Sequence, residues 1–467
     1  MYLQQIYTGC LSEAAYFMAS NGEAIIIDPL RDIEVYLELA KEHKAKIKYI
    51  FETHFHADFI SGHLDLQKET GAQIVYGPGT HANFDFYLAK DGEKFTIGDI
   101  TIQAIHTPGH TVESTSYLLS DEAGRPHCIF TGDTLFVGDV GRPDLSSGNM
   151  TSDELASIMY DTIQNKILPL ADDIIVYPAH GAGTSCGKNL GPETTTTIGE
   201  QKKTNYALQP QTREEFIKAI TTGLDEAPSY FSTNARINKE GYSSLEEIKK
   251  TSLTPLSVKD FKSKLNNDVL VLDTRTEAEF ANGFIPGSLF IGLEGRFAEW
   301  AGSLIQFHQP IVVVTDAGKE EETIVRLARV GIDNVEGYLE GGIKAWKRSG
   351  EKIDLIIQVE PDELAMDIPF DENLVIVDVR KENEFAEGHI KDALNLPLHE
   401  MTDPAQVAHL EEHQNIYIHC GSGYRSLIAA SILKKHGYHN IRNVEGGWTK
   451  IKEQKNIKTE KEARVLN

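Results

Sequence analysis

Histidine and aspartate recur on four short, well separated segments: Thr53-His54-Phe55-His56-Ala57-Asp58-Phe59, Thr107-Pro108-Gly109-His110, Thr131-Gly132-Asp133 and Tyr177-Pro178-Ala179-His180. Imidazole and carboxylate are common ligands of first-row metal ions, and two His with one carboxylate on one face leave positions open for substrates. A fifth segment carries sulfur: Cys420-Gly421-Ser422-Gly423-Tyr424-Arg425-Ser426. It follows a β-rich run and leads into a helical stretch, Leu427 to Lys435. A thiol so placed meets backbone N–H groups and the positive end of a helix dipole. Such surroundings lower a thiol pKa from about 8.5 to roughly 3.5–7.5 and favour the thiolate at neutral pH. Gly421 and Gly423 are expected to let the backbone curl around the sulfur by reaching φ > 0. Arg425 is expected to hold an anionic sulfur donor or acceptor.

These residues need elements to hold them. Over the first two hundred residues, short β-rich runs alternate with turn signals: Glu23 to Asp28, Ile47 to Phe51, Gln73 to Tyr76, Cys128 to Thr131 and Asp173 to Tyr177. Several end just before a His or Asp motif, so the motif residues should sit on loops at strand ends. Apolar residues recur at helical spacing over Asp32 to Lys44 and Ser152 to Leu168. Residues 194–210 are polar and expected to begin irregularly, and a helical pattern returns over Arg213 to Leu224, closing a first domain near residue 235.

The four His/Asp motifs, in this order, resemble the metallo-β-lactamase superfamily. The resemblance implies an αββα sandwich. One departure stands out: where the first motif commonly reads His-x-His-x-Asp-His, its last position here is Phe59. That replaces a ligand of the second metal with an apolar ring, so one metal is expected rather than two. Within the superfamily the segment is similar to the persulfide dioxygenase branch, which implies iron ligands at His54, His110 and Asp133. His56, Asp58 and His180 then belong to a hydrogen-bonded shell that orients those ligands. The stretch Asp139-Val-Gly-Arg142-Pro-Asp144 resembles a Gly-Arg-x-Asp segment of the same branch, which implies structure or substrate placement for Arg142. Tyr177 could face the thiol portion of a substrate or pack. Cys186, six residues beyond His180 in a Gly-rich loop, could reach the pocket and exchange sulfur, or be a buried loop thiol. His63, His81, His106 and His127 lie outside the ligand positions, and Cys10 and Cys128 have apolar contexts that suit a core. The cofactor expected is Fe(II), one per chain, with zinc as the alternative because the donors suit both.

The remainder of the chain repeats itself. Sliding it by 105 positions sets Asp273-x-Arg275, Glu279-Phe280, Gly283 and Ile285 on Asp378-x-Arg380, Glu384-Phe385, Gly388 and Ile390, and Glu340-Gly-Gly342 on Glu445-Gly-Gly447. With the six-residue loop from Cys420 to Arg425, the second copy resembles the rhodanese family of sulfurtransferases. This implies a persulfide carried on Cys420. In the first copy Thr315 and Asp316 stand where the thiol loop begins, followed by an acidic run, so that copy is expected to be catalytically inactive. The fold class is therefore α/β: an N-terminal αββα sandwich over residues 1–235, then two rhodanese-like α/β domains with parallel sheets over 250–352 and 358–455.

Composition narrows the partners. The 467 residues carry a formal net charge of −25, which repels phosphate backbones and anionic bilayers, so neither nucleic acid nor membrane is expected as a partner. There is no signal-peptide pattern at the N-terminus, and four scattered cysteines make no disulfide framework; a cytoplasmic location is expected. The combined resemblance implies a non-haem iron persulfide dioxygenase coupled to a sulfurtransferase in sulfide detoxification. It would oxidise a low-molecular-weight persulfide with O2 to sulfite and convert sulfite plus persulfide to thiosulfate. The carrier thiol is left open among glutathione, coenzyme A, bacillithiol and cysteine, and the superfamily branch implies a homo-oligomer. Two alternatives stand: a glyoxalase II-type thioester hydrolase with a sulfurtransferase module, and a Cys420 persulfide carrier or sensor.

Overall fold

The computed structural model describes residues 1–145, 150–265 and 268–462. It divides into two compact units, one comprising Met1–Ile248 with Val325–Ile332 and the other the remainder.

The first unit holds two six-stranded sheets. One runs Tyr2–Thr8, Glu13–Ser20, Glu23–Ile27, Lys46–Phe51, Gln73–Tyr76, Tyr87–Leu88; the other runs Lys94–Ile97, Ile100–His106, Thr115–Ser120, Pro126–Gly132, Ile175–Pro178, Thr196–Thr197. Period-two alternation explains how each strand serves two layers. Along Glu13–Ser20, Ala14, Tyr16 and Met18 join the core between the sheets, where they meet Phe51, Ile102, Tyr117 and Phe130, whereas Ala15, Phe17 and Ala19 join the outer layer with Tyr36, Leu39 and Leu66. That outer layer contains the helices Glu34–Glu42 and His63–Thr70. On the opposite face, Ser152–Thr162 with its π-helical continuation Ile163–Ile167, Ile198–Thr204 and Arg213–Thr221 cover Ile129, Val176 and Leu118. The result is an αββα sandwich.

Residues 194–195 are irregular, as expected, but the irregular stretch is shorter than the polar sequence implies: Thr196–Thr197 is a strand, and Ile198–Thr204 a helix. The reason is local, since the Thr197 hydroxyl accepts the Glu200 N–H at 3.2 Å and caps the helix. Near residue 235, where the first domain was expected to close, a helix spans Phe231–Glu240, and the first compact unit continues to Ile248.

The second unit contains the repeat as two five-stranded parallel sheets. Their strand orders correspond: Pro255–Leu256, Val335–Leu339, Ile311–Val314, Leu270–Asp273, Leu289–Phe290 in the first, and Ile357–Val359, Ile441–Val444, Asn415–His419, Leu374–Asp378, Leu394–Asn395 in the second. The repeated Asp-x-Arg is a buried ion pair in each copy, Asp273–Arg275 and Asp378–Arg380, both at 2.6 Å. Each arginine also donates to a glycine carbonyl, Gly283 or Gly388, so the motif ties the strand end to the following turn. Among the described residues no helix is long and apolar enough to cross a membrane.

Candidate metal centre and thiol site

The His/Asp motifs follow strand ends, as their spacing implies: His54 comes after Lys46–Phe51, His110 after Ile100–His106, Asp133 after Pro126–Gly132 and His180 after Ile175–Pro178. Three of these side chains converge. His54 Nε2 and His110 Nε2 lie 3.8 and 3.5 Å from Asp133 Oδ2, separations that two donors bound at about 2.1 Å to one ion can span. Their other nitrogens are occupied, His110 Nδ1 by the Arg142 carbonyl at 2.7 Å and His54 Nδ1 by the Thr53 hydroxyl at 2.9 Å. Asp28 in turn accepts the Thr53 N–H and hydroxyl, which fixes the turn. Asp133 Oδ2 is buried and has no hydrogen-bond partner. An oriented, dry set of two imidazoles and one orphaned carboxylate oxygen fits a metal ion. Burial, together with the neighbouring His56, holds His54 well below the usual histidine range, and a neutral imidazole is the form a metal needs.

Asp58, His180 and Cys186 form an adjoining buried cluster. The His180 ring lies between two carboxylates, Nδ1 at 2.8 Å from Asp133 and Nε2 at 2.8 Å from Asp58. Burial would lower its pKa, but the two carboxylates outweigh it and raise it well above the ordinary value. Burial, then the negative charges of Asp58 and Asp133, push the Cys186 thiol well up, so it rests as a thiol. His56 belongs to a third cluster, with Asp28 and Glu52, and does not join His54.

In the second unit, Cys420 follows Asn415–His419 and precedes the helix Tyr424–Lys435. Its sulfur is buried and accepts the Gly423 N–H at 3.1 Å. Gly423 adopts φ +128°, whereas Gly421 lies outside the left-handed region, so only one of the two expected glycines makes the curl. Arg425 pairs with Glu384 through two contacts of 2.6 and 2.8 Å. Tyr424 donates its hydroxyl to the Gly292 carbonyl at 2.8 Å, Ser426 donates to the Gly423 carbonyl at 2.7 Å, and Ser422 is exposed. The repeated Glu-Gly-Gly closes the loop from below. Trp448 N–H donates to the Cys420 carbonyl at 2.7 Å, and a Cβ on Gly447 would meet that same carbonyl oxygen at 2.4 Å. In the first copy Thr315 is buried near Thr323. Asp316 faces Glu279 there, and burial with that carboxylate raises its pKa.

Comparison with known proteins agrees with this geometry. Residues 8–180 match the metallo-beta-lactamase superfamily, and residues 257–349 and 360–454 each match the rhodanese-like domain. A probable hydroxyacylglutathione hydrolase of Schizosaccharomyces pombe is 32% identical over 226 residues, covering 43% of this chain and 84% of the relative. The chain belongs to the metallo-β-lactamase superfamily. The human mitochondrial persulfide dioxygenase ETHE1 is 30% identical over 202 residues, covering 43% of this chain and 72% of its own. A crystal structure of a metallo-beta-lactamase from Staphylococcus aureus superposes with a TM-score of 0.65 at 32% identity, covering 73% of this chain and 98% of the other.

Within this metallo-β-lactamase domain the contacts bear on roles left open above. Of structure and substrate placement for Arg142 they favour structure: it is buried and its guanidinium is engaged by Asp144 at 2.7 and 3.0 Å and by the Ser185 and Asp225 carbonyls. Tyr177 packs on Phe130 and Tyr16, with ring centroids 5.4 Å away in each case, and points into the core between the sheets. The alternation of its strand decides this: Val176 faces the helices and Tyr177 the opposite sheet. Cys10 is only partly buried, while Cys128 is core. Three contributors had no motif to announce them: Glu52 and Asp28 beside His56, and Asn238, whose amide donates to the His56 and Phe59 carbonyls at 2.8 and 2.7 Å. His63, without an expected role, lies buried with Nδ1 3.4 Å from Glu52.

Proposed function

We propose that the protein is an iron-dependent persulfide dioxygenase coupled to a rhodanese-type sulfurtransferase. The observation that carries this reading is the buried His54, His110 and Asp133 set, with Phe59 in place of a further ligand, in one chain with the Cys420 loop. Fe(II) bound there would supply an open-sided centre on which a sulfur ligand and O2 can react.

The protein residues do the rest. Thr53 and the Arg142 carbonyl hold the two imidazoles in the tautomer that presents Nε2, and the Asp58–His180–Asp133 chain fixes the carboxylate. Cys186 faces the same carboxylates and would meet the sulfane end of a bound persulfide. The overall oxidation is R–S–SH plus O2 and water giving R–SH, sulfite and two protons. The S–S bond breaks and the outer sulfur is oxidised. A second persulfide passes its outer sulfur to Cys420, releasing R–SH. Sulfite attacks that sulfur, and thiosulfate leaves with the Cys420 thiolate restored. The Gly423 N–H would steady the Cys420 sulfur, and Arg425, paired with Glu384, would receive the anions only by exchanging that carboxylate for them.

A thioester hydrolase is the second reading, favoured by the hydroxyacylglutathione hydrolase relative and by the Asp58, His180 and Cys186 cluster, which offers donors for a second cation. Metal content separates the two. One iron per chain with no thioester turnover supports the dioxygenase; two zinc ions per chain with hydrolysis of a glutathione thioester contradicts it. A carrier role for Cys420 alone predicts that His54→Ala leaves function intact, which the dioxygenase reading forbids.

A further inference from the structure

The second His of the first motif lies beside the metal ligands yet does not face them. The His56 and His54 rings are 4.2 Å apart, but His56 Nε2 points to Asp28 Oδ1 at 3.1 Å and to Glu52 Oε2 at 3.7 Å. Three features hold it there. The Phe59 ring stacks on His56 at 4.3 Å with 30° between the planes. Asn238 clamps the backbone by donating to the His56 and Phe59 carbonyls and accepting the Ser61 N–H at 2.9 Å. Glu52 is itself fixed: it takes the Ser61 hydroxyl on Oε1 and lies 3.4 Å from His63 Nδ1, leaving Oε2 without a hydrogen-bond partner and turned as a charge towards the His56 ring, 3.7 Å from its Nε2. All of these side chains are almost fully buried, so water does not compete for His56.

We propose that Glu52, Asp28 and Phe59 withhold His56 from the metal, and that this converts a scaffold with three available imidazoles into a two-His, one-carboxylate centre. Glu52 is the positioning residue in this device, acting through His56. Its effect is metal selection. A third imidazole would complete a four-donor set, which suits Zn(II), whereas the reduced set keeps positions open and suits Fe(II). The inference rests on the metal site argued above but not on its substrate.

The test uses the full-length protein and metal alone. Co(II) replaces the native metal, and its visible absorption, much more intense for four- or five-coordinate than for six-coordinate Co(II), reports the donor count. Zn(II) affinity is measured in parallel by chelator competition. His56→Ala in the native background is expected to leave the Co(II) spectrum unchanged and Zn(II) affinity within about twofold. Glu52→Met frees His56, so absorption intensifies and Zn(II) binds about tenfold more tightly, an effect of the size outer-shell groups usually have. The double variant Glu52→Met/His56→Ala returns to the native spectrum, which general damage to the domain would not do. Phe59→Leu is the second releasing variant if Glu52→Met does not fold, with the same expected shift and the same reversal by His56→Ala. A changed spectrum in His56→Ala alone, or a shift in either releasing variant that persists without His56, overturns the proposal. Neither result depends on persulfide turnover, so the proposed reaction can fail while this holds, and the reverse.

Discussion

His54, His110 and Asp133 were readable from the chain because each sits in a short motif with a turn signal beside it. Glu52, Asp28 and Asn238 were not, because they reach His56 from separate parts of the sequence and only folding brings them together. His63 illustrates the cost of that burial. Burial, then the neighbouring His56, lowers its pKa to about 3. The unfolded chain therefore binds a proton that the native state refuses between about pH 6.5 and 3, and stability falls as pH drops through that window, by roughly 1.4 kcal/mol per pH unit from this group. Guanidinium melts of wild type and His63→Phe across pH 5 to 7 should show a smaller decline in the variant; parallel declines would contradict the assignment. At the thiol site, Cys420→Ser removes the only sulfur in the loop. Thiosulfate formation should drop at least about a thousandfold, as loss of a covalent nucleophile does, while O2 uptake persists and sulfite accumulates.

Elements were legible where the hydrophobic period was strong and bounded, as in Gln73–Tyr76 or Leu374–Asp378. They were missed where the strand was small-residue or polar, as with Glu13–Ser20 and Thr115–Ser120, which are buried by the opposite sheet on one face and by helices on the other, so that no alternation in polarity remains. The Glu-Gly-Gly repeat was visible as a pattern, but its purpose is geometric. Gly447 holds φ +51° with its Cα against the Cys420 carbonyl, a conformation and an approach that a side chain opposes. Gly447→Ala is expected to cut sulfur transfer about tenfold or more by displacing the loop, with bound metal unchanged; measured transferase activity and metal content on the same sample check it. Asp378→Asn tests the tie between strand end and turn. It leaves Arg380 buried without its charge partner, and a loss of about 3–5 kcal/mol is expected in chemical unfolding of the second unit.

Two chemistries on one chain make sense when the product of one is the acceptor of the other. In the proposed reaction, sulfite made at the metal would be the nucleophile that discharges Cys420, and a shared polypeptide would raise the concentration of each near the other where geometry allows exchange. The central claim is tested most directly by adding a glutathione or coenzyme A persulfide to anaerobically iron-loaded protein, following O2 uptake, and quantifying sulfite and thiosulfate at the end. The account predicts O2 uptake with thiosulfate as the main product in wild type, a shift to sulfite in Cys420→Ser, and no uptake in His54→Ala. No O2 uptake by the wild-type protein with any persulfide would contradict it and return the metal domain to thioester hydrolysis.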